Sequence, residues 1–154
     1  MQLSELLKPD AVRIIAESTS KKRLFQKLGE VAHNVYDCPT ARICEALMER
    51  ETLGPTAVGH GIALPHARVA GISQLCGLFF KLDKPMDFEA VDRQPVDLVF
   101  ALVAPEDAGV HHLKALAAVS RTMRDPAICA KLRANQSPDT LHTVLTAGPA
   151  TAAA

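Results

Sequence analysis

Apolar residues recur at helical spacing in the first third of the chain and in strand-like runs after residue 56. Apolar residues three or four positions apart predict helices at residues 3–7, 18–35 and 40–53. Ser18 to Ser20 and Thr40 are predicted as caps of the second and third helices, and Gly54-Pro55 is predicted to end the third. Compact apolar runs predict strands at residues 12–16, 56–64, 72–82 and 96–103. The last of these runs is nearly continuously apolar, as expected for a central strand covered on both faces.

Helical spacing returns in the last third of the chain. It predicts a long helix at residues 109–123, with Leu113, Leu116, Ala117 and Ser120 facing inward, and shorter helices at residues 127–133 and 138–145. We therefore predict an α/β fold, a single domain with a central mixed β-sheet flanked by helices on both faces. The domain is predicted to span residues 1–147, and residues 148–154, which hold nothing large to bury, are predicted to form a flexible tail.

The composition narrows the class of protein. The 154 residues include 17 basic and 17 acidic side chains, with five Phe, one Tyr and no Trp, so neither charge nor stacking favours a nucleic-acid partner. The N-terminus does not resemble a secretory signal, and no apolar stretch is long enough to insert into a membrane. Four scattered cysteines without a CxxC pair predict reduced, mostly buried thiols in a cytoplasmic protein.

Candidate chemistry is concentrated in residues 56–68, TAVGHGIALPHAR. Pro65 stiffens the approach to His66, and Gly59 and Gly61 allow the backbone to come close to a ligand. Backbone N–H groups could then bind an oxyanion near His66, which could act as acid, base, metal ligand or nucleophile. The same pattern also fits a solvated histidine at a tight strand–loop junction, and spacing alone does not separate the two interpretations.

Other candidate residues lie on either side of this segment. Arg50 could bind a phosphate or carboxylate through two parallel hydrogen bonds, or it could be a surface arginine paired with Glu49 or Glu51. His111 and His112 start the long helix, where neighbouring side chains diverge by about 100°, so one of them at most can face His66. No role is assigned to the remaining histidines, His33, His60 and His142.

Metal and cofactor sites are not predicted. His60, His66 and one of the His111-His112 pair could in principle bind a metal, but no carboxylate stands within GHGIALPH and the spacing fits no standard pattern. The chain also lacks a GxxxxGK[ST] phosphate loop, a GxGxxG turn, a GxSxG elbow and an HExxH helix.

The run GHGIALPH, with Arg50 before it and His112-Leu113 after it, resembles the active-site signature of the fructose/mannitol-type enzyme IIA family of the bacterial phosphotransferase system. The resemblance covers roughly residues 3–145 and, within the family, is strongest to the stand-alone nitrogen-regulatory enzyme IIA. It implies that His66 accepts the phosphate, that Arg50 and His112 assist, and that Gly59, Gly61 and Pro65 frame the site. His60 stands where relatives often carry a small polar residue such as asparagine.

The resemblance implies a phosphohistidine phosphocarrier that needs no metal and no cofactor. It would accept phosphate from a nitrogen-type phosphocarrier protein and regulate targets such as potassium transport systems or sensor kinases according to its phosphorylation state. The alternative is a IIA subunit that passes phosphate to a separate fructose/mannitol-class sugar permease. A third possibility is a binding module that has lost phosphorylation, against which the joint presence of Arg50, His66 and His112 argues.

Overall fold

Five α-helices and six strands make up the computed structural model, which describes residues 1–149. The strands are β1 (Val12–Ile15), β2 (Ala57–Gly59), β3 (Ile62–Ala63), β4 (His66–Val69), β5 (Cys76–Met86) and β6 (Val96–Pro105). The helices are α1 (Lys21–Tyr36), α2 (Thr40–Thr52), α3 (Val110–Met123), α4 (Pro126–Ala134) and α5 (Pro138–Ala147). Two 3₁₀ turns, Leu3–Glu5 and Pro9–Ala11, precede β1.

The six strands form one mixed sheet in the order β1-β5-β6-β3-β2, and β4 pairs with β6 beyond the end of β3. Antiparallel pairing joins β5 to β6 and β2 to β3, whereas β1 runs parallel to β5, and both β3 and β4 run parallel to β6. The long strands β5 and β6 hold most of the buried apolar residues of the sheet, including Phe79 and Phe100, whose rings pack edge to face. They lie at the centre of the sheet, and the apolar run at residues 96–103 predicts this position for β6.

Helices cover both faces of the sheet, which confirms the predicted α/β class. The helices α1 and α2 pack against each other, α1 against β5 and α2 against β4. The helices α3 and α5 pack against β6 and β1, with α4 between them. Within residues 1–149, no helix is both long and apolar enough to cross a membrane. The prediction of a flexible tail at residues 148–154 concerns mainly residues 150–154, which lie outside the described residues.

The predicted single strand at residues 56–64 was wrong, and three smaller details of the prediction differ from the structure. Residues 56–64 form the hairpin β2–β3 and not one strand, because His60 and Gly61 both have positive φ angles, 58° and 80°, and reverse the chain in two residues. The third strand begins at Cys76 rather than residue 72 and continues to Met86, while the short strand β4 was not predicted. Thr40 is the first residue of α2 rather than its cap, since Pro39 occupies the cap position.

The inward face of α3 also differs from the prediction. Leu113 is 61% exposed and Ala117 is exposed, whereas the buried residues of the helix are His112, Ala115, Ala118, Val119, Thr122 and Met123. The buried face therefore includes a histidine and a threonine, which a count of apolar positions alone does not select. This rotation places His112 under the helix, on the side of the sheet.

A buried carboxylate fixes the end of α2. Glu51 accepts hydrogen bonds from the backbone N–H and the hydroxyl of Thr56, at 3.1 Å and 2.6 Å, and pairs with Lys21 Nζ at 2.9 Å. Its neighbour in the chain, Arg50, is held at a defined position because these bonds tie α2 to α1 and to the segment before β2. Burial of a charge is stable here because every oxygen has a partner.

Candidate functional site

His66 is the first residue of β4, and its position follows from the proline before it. Pro65 has no N–H to donate, and its carbonyl accepts a hydrogen bond from Leu102 N at 2.9 Å. The ring of His66 folds back so that Nδ1 lies 2.8 Å from the carbonyl oxygen of Leu64. A carbonyl oxygen only accepts, so Nδ1 holds the hydrogen and Nε2 of the neutral ring holds the free lone pair.

The strands β3 and β4 lie along the same edge of β6 and keep one pairing register across Leu64-Pro65. Ile62 pairs with Leu98 and Ala63 with Val99, and His66 continues the series opposite Leu102. Side chains alternate along a strand, and in β4 Ala67 and Val69 are buried while His66 and Arg68 are not. His66 and Arg68 therefore share one face of the sheet.

His112 reaches this face from the first turn of α3. Its ring centroid lies 5.9 Å from that of His66, with an angle of 60° between the ring planes. Arg68 Nε donates a hydrogen bond to His112 Nδ1 at 3.1 Å. His112 is only 7% exposed, whereas His111 is exposed. Of the two neighbouring histidines, the structure thus brings His112 next to His66 and leaves His111 at the surface.

One nitrogen of this cluster has no partner. His112 Nε2 is buried and makes no hydrogen bond, and it is the one such side-chain nitrogen or oxygen among the described residues. Since Nδ1 accepts from Arg68, neutral His112 has its hydrogen on Nε2. A buried N–H without an acceptor costs free energy, about 1–3 kcal/mol. An unpaired N–H of this kind is typical of a binding site in which an atom of the ligand serves as the acceptor.

Burial also keeps His112 neutral. The pKa of His112 lies below its usual value because burial disfavours the charged ring, and the nearby charges of His66 and Arg68 act in the same direction. A neutral His112 donates from Nε2 alone. The cluster can therefore offer one nucleophilic nitrogen, on His66, beside one hydrogen-bond donor, on His112.

Arg50 lies in the last turn of α2, the helix that packs against β4. Its Nη1 donates to the carbonyl oxygen of Gly54 at 3.1 Å. The pairing with Glu49 or Glu51 that the sequence left open does not occur within residues 1–149, where Glu51 instead binds Lys21 and Thr56. The other nitrogens of the Arg50 guanidinium make no hydrogen bond in that part of the chain, so they can bind an added anion.

Gly59 and Gly61 lie at the β2–β3 turn and not at His66. The backbone N–H of His60 donates to Asp92 Oδ2 at 2.8 Å, and Arg133 Nη2 donates to the carbonyl oxygen of His60 at 2.7 Å. Arg133 also binds both carboxylate oxygens of Asp97 at 2.9 Å. These contacts hold the turn near the start of β6, whereas His66 pairs with β6 four residues further along, about 13 Å away.

The remaining histidines lie apart from this cluster. His142 Nε2 contacts the carbonyl oxygen of Leu7, and His33 Nδ1 contacts that of Cys38. His33 is exposed, and three of the four cysteines are buried thiols. Across residues 1–149, no three His, Cys, Asp or Glu side chains are grouped so that they could bind a metal ion.

Arg68 is a site residue that no motif in the sequence indicates. It stands two positions after His66, and alternation along a strand would have placed the two side chains on one face. The alternation could not be recognised from the sequence because β4 has only four residues and is defined by its pairing with β6.

The sequence of the chain matches a known protein family. Residues 5–148 match the family described as "Phosphoenolpyruvate-dependent sugar phosphotransferase system, EIIA 2", and the chain belongs to this family. It is thus a IIA-type protein of the bacterial phosphotransferase system, which confirms the resemblance inferred from GHGIALPH.

Individual relatives narrow the similarity further. A nitrogen regulatory protein of Bradyrhizobium diazoefficiens is 44% identical over 153 residues, covering 99% of this chain and 100% of that protein. One of Escherichia coli K12 is 37% identical over 147 residues, covering 95% and 90%. The crystal structure of nitrogen regulatory protein IIA-Ntr from Neisseria meningitidis superposes with a TM-score of 0.84 at 33% identity, covering 94% of this chain and 99% of that one. The IIA mannitol structure from Escherichia coli, at 18% identity and TM-score 0.71, covering 88% and 96%, shares the fold.

Proposed function

We propose that the protein is a phosphohistidine phosphocarrier in which Nε2 of His66 accepts the phosphoryl group. The observation that most supports this is the 2.8 Å contact between His66 Nδ1 and the carbonyl oxygen of Leu64. It leaves the lone pair on Nε2 and fixes the orientation of the ring, which is what a nucleophile positioned for in-line attack requires.

The transfer step is a direct exchange between two imidazoles. Nε2 of His66 attacks the phosphorus of a phosphohistidine on a carrier protein, and the new N–P bond forms as the donor's N–P bond breaks. The donor imidazole leaves with the electron pair of the broken bond. Little covalent chemistry is required of the rest of the protein, so catalysis depends on position and on stabilisation of charge on the phosphoryl oxygens.

His112 and Arg50 would supply that stabilisation. No atom of residues 1–149 accepts from the buried Nε2–H of His112, and a phosphoryl oxygen on His66 would provide an acceptor. The Arg50 guanidinium retains donors beyond its bond to Gly54 and would bind two oxygens in parallel. Pro65 contributes by setting the path of the chain into His66, while the positions of Gly59 and Gly61 support a structural role at the turn.

The physiological role that we propose is regulation in the cytoplasm. Relatives that are 44% and 37% identical over nearly the whole chain are named nitrogen regulatory proteins. The donor would be a nitrogen-type phosphocarrier protein, and the phosphorylation state of His66 would set the binding of targets such as potassium transport systems or sensor kinases. The alternative is a IIA subunit that serves a separate fructose/mannitol-class permease. One observation supports it: the family description names a sugar phosphotransferase system.

The test is phosphorylation by purified components. Phosphoenolpyruvate, enzyme I and the nitrogen-type carrier should add one acid-labile phosphoryl group to the wild-type protein and none to His66→Ala. His60→Ala is the matched control, because His60 is exposed and lies on the β2–β3 turn, and it should be phosphorylated normally. Phosphorylation of His66→Ala would show that the acceptor is wrong. Efficient charging by the sugar-type carrier alone would favour the permease-linked alternative.

A further inference from the structure

Arg68 is the third member of the site cluster and has no counterpart among the residues selected from the sequence. It stands on the same face of β4 as His66, and its Nε donates to Nδ1 of His112 at 3.1 Å. Within residues 1–149 this is the one hydrogen bond that its guanidinium makes. The side chain therefore links the strand that holds the acceptor histidine to the helix that holds the second histidine.

This bond decides which nitrogen of His112 can donate. The guanidinium is permanently charged and only donates, so Nδ1 of His112 must accept. A proton on Nδ1 would point at the Arg68 Nε–H, and two donors cannot form a hydrogen bond with each other. His112 is thereby restricted to the neutral form that has its hydrogen on Nε2, the buried nitrogen that contacts no hydrogen-bond partner in the described part of the chain.

Without Arg68, two other forms of His112 would become accessible. The hydrogen could move to Nδ1, which would leave a lone pair on Nε2 facing the phosphoryl oxygens, or a second proton could bind. Within residues 1–149, the charged or titratable groups that act on His112 are those of His66 and Arg68. Both oppose its protonation, together with burial, which acts most strongly. Loss of the arginine would remove one of these influences and the donor to Nδ1 at once.

We propose that Arg68 is a positioning residue for phosphoryl transfer: it holds His112 as the Nε2–H donor that meets the phosphoryl group on His66. This inference rests on the proposed function and extends it to a residue that would not itself need to touch the phosphate. The competing explanation is that Arg68 acts directly, as a cation attracting the phosphoryl oxygens.

The first test is the ¹⁵N spectrum of the histidine rings in the full-length, unphosphorylated protein. In the wild type, Nδ1 of His112 should be unprotonated and Nε2 protonated. In Arg68→Met both signals should move toward a mixture of tautomers, and His112 should bind a proton at a higher pH. His142, bound to the carbonyl oxygen of Leu7, is an internal reference that should not change. An unchanged His112 spectrum would overturn the proposal.

The second test is a double-mutant comparison of transfer rates. Arg68→Met should slow phosphorylation of His66 by about tenfold or more, as expected for a misdirected donor. In a His112→Ala background the same substitution should have no further effect, because its route of action is gone. Equal effects in the two backgrounds would mean that Arg68 acts on the phosphate directly. A normal rate despite an altered spectrum would also overturn the proposal.

Arg13→Met is the matched control variant. Arg13 lies on the strand β1, and its Nε also donates to an oxygen, the backbone carbonyl of Asp10 at 2.7 Å. The substitution removes the same charge and the same kind of bond away from His112, so it should alter neither the spectrum nor the rate. Because the spectrum is recorded before any transfer, failure of His66 as acceptor and failure of Arg68 as positioning residue give different results.

Discussion

The imidazole rings of His66 and His112 lie 5.9 Å apart although 46 positions separate them in the chain. One ring belongs to a strand and the other to a helix that follows the neighbouring strand β6. Their lone hydrogen-bonding groups are complementary, a lone pair on one Nε2 and a hydrogen on the other. The pair can therefore hold a group that is bonded to one ring and accepts from the other.

We expect His112→Ala to slow phosphorylation of His66 without abolishing it. The substitution removes the Nε2–H donor but leaves the acceptor ring and its contact with Leu64 intact. Loss of one such donor lowers a transfer rate by about 10²-fold. The measurement is the single-turnover rate from phosphorylated carrier. His111→Ala, which alters the exposed neighbour, should transfer at the wild-type rate, and the reverse order of effects would mean that His111 is the participating residue.

The stability of the protein should depend on pH through His112. The pKa of His112 is lowered in the folded state, mainly by burial, from a value near 6.5 in the unfolded chain. As pH falls through about 6.5, the unfolded chain binds a proton that the folded protein does not, so the free energy of unfolding decreases. The contribution of His112 is complete above that pH and is lost below it.

This pH dependence can be isolated by substitution. Urea unfolding at about pH 7.5 and about pH 5.5 should show a larger loss of stability in the wild type than in His112→Gln, which cannot be protonated. His111→Gln should lose as much as the wild type, because His111 is exposed. Equal losses in the wild type and His112→Gln would contradict the assignment.

Glu51 should contribute strongly to stability, in contrast to Glu89, although both bind Lys21. The side chain of Glu51 is 4% exposed and that of Glu89 is 74% exposed. Glu51→Ala leaves Thr56 and Lys21 without their buried partner and should cost about 3–5 kcal/mol of the free energy of unfolding. Glu89→Ala should cost about 0–1 kcal/mol. Urea unfolding measures both values, and comparable losses would be inconsistent with a buried network around Glu51.

Gly61→Ala should destabilise the protein while phosphorylation of His66 continues. A methyl group at Gly61 would lie 2.7 Å from Arg133 Nη2 and 2.9 Å from Asp97 Oδ1. Gly71 has a similar φ angle, +87° against +80°, but a methyl group there would meet only Arg42 Nη1 at 3.6 Å. Both atoms are ends of flexible side chains that can move, so the added cost is that of weakening the Arg133–Asp97 ion pair. Gly61→Ala should therefore lower the free energy of unfolding by about 1 kcal/mol more than Gly71→Ala.

The same variant tests whether the glycine turn frames the phosphate site. The contacts of the turn are with Asp92, Asp97 and Arg133, so the transfer rate of folded Gly61→Ala should stay within about twofold of the wild type. A large decrease in rate at full folding would restore the framing role inferred from the family resemblance.

Periodicity along the sequence was sufficient for the helices and for the central strand. Five predicted helical segments coincide with α1 to α5 within a few residues, because their caps and apolar spacing are local properties. The hairpin at residues 56–64 was not predicted, since its reversal depends on a non-glycine residue, His60, in a left-handed conformation that Asp92 and Arg133 hold from elsewhere in the chain.

The sequence was sufficient to select most of the site residues, but not to predict how their side chains are arranged. The motif around His66 and the pair at His111-His112 could be selected from the sequence. Which histidine faces inward depends on the rotation of α3, and that rotation follows from packing against β6 rather than from apolar residues alone, since Leu113 is exposed and His112 is buried. Arg68 escaped selection for the same reason, because its relevance arises from a partner 44 positions away.

The unbroken register of β3 and β4 along β6 makes the site sensitive to length rather than to composition. Deletion or insertion of a single residue between Ala63 and His66 would move the following side chains to opposite faces of the sheet. Ala67 and Val69 would then face His112, and the acceptor ring would be turned into the core. Insertions or deletions of two residues in this segment should therefore be better tolerated than those of one residue. An even change in length keeps His66 on the face of the sheet that His112 reaches, whatever the identity of the residues.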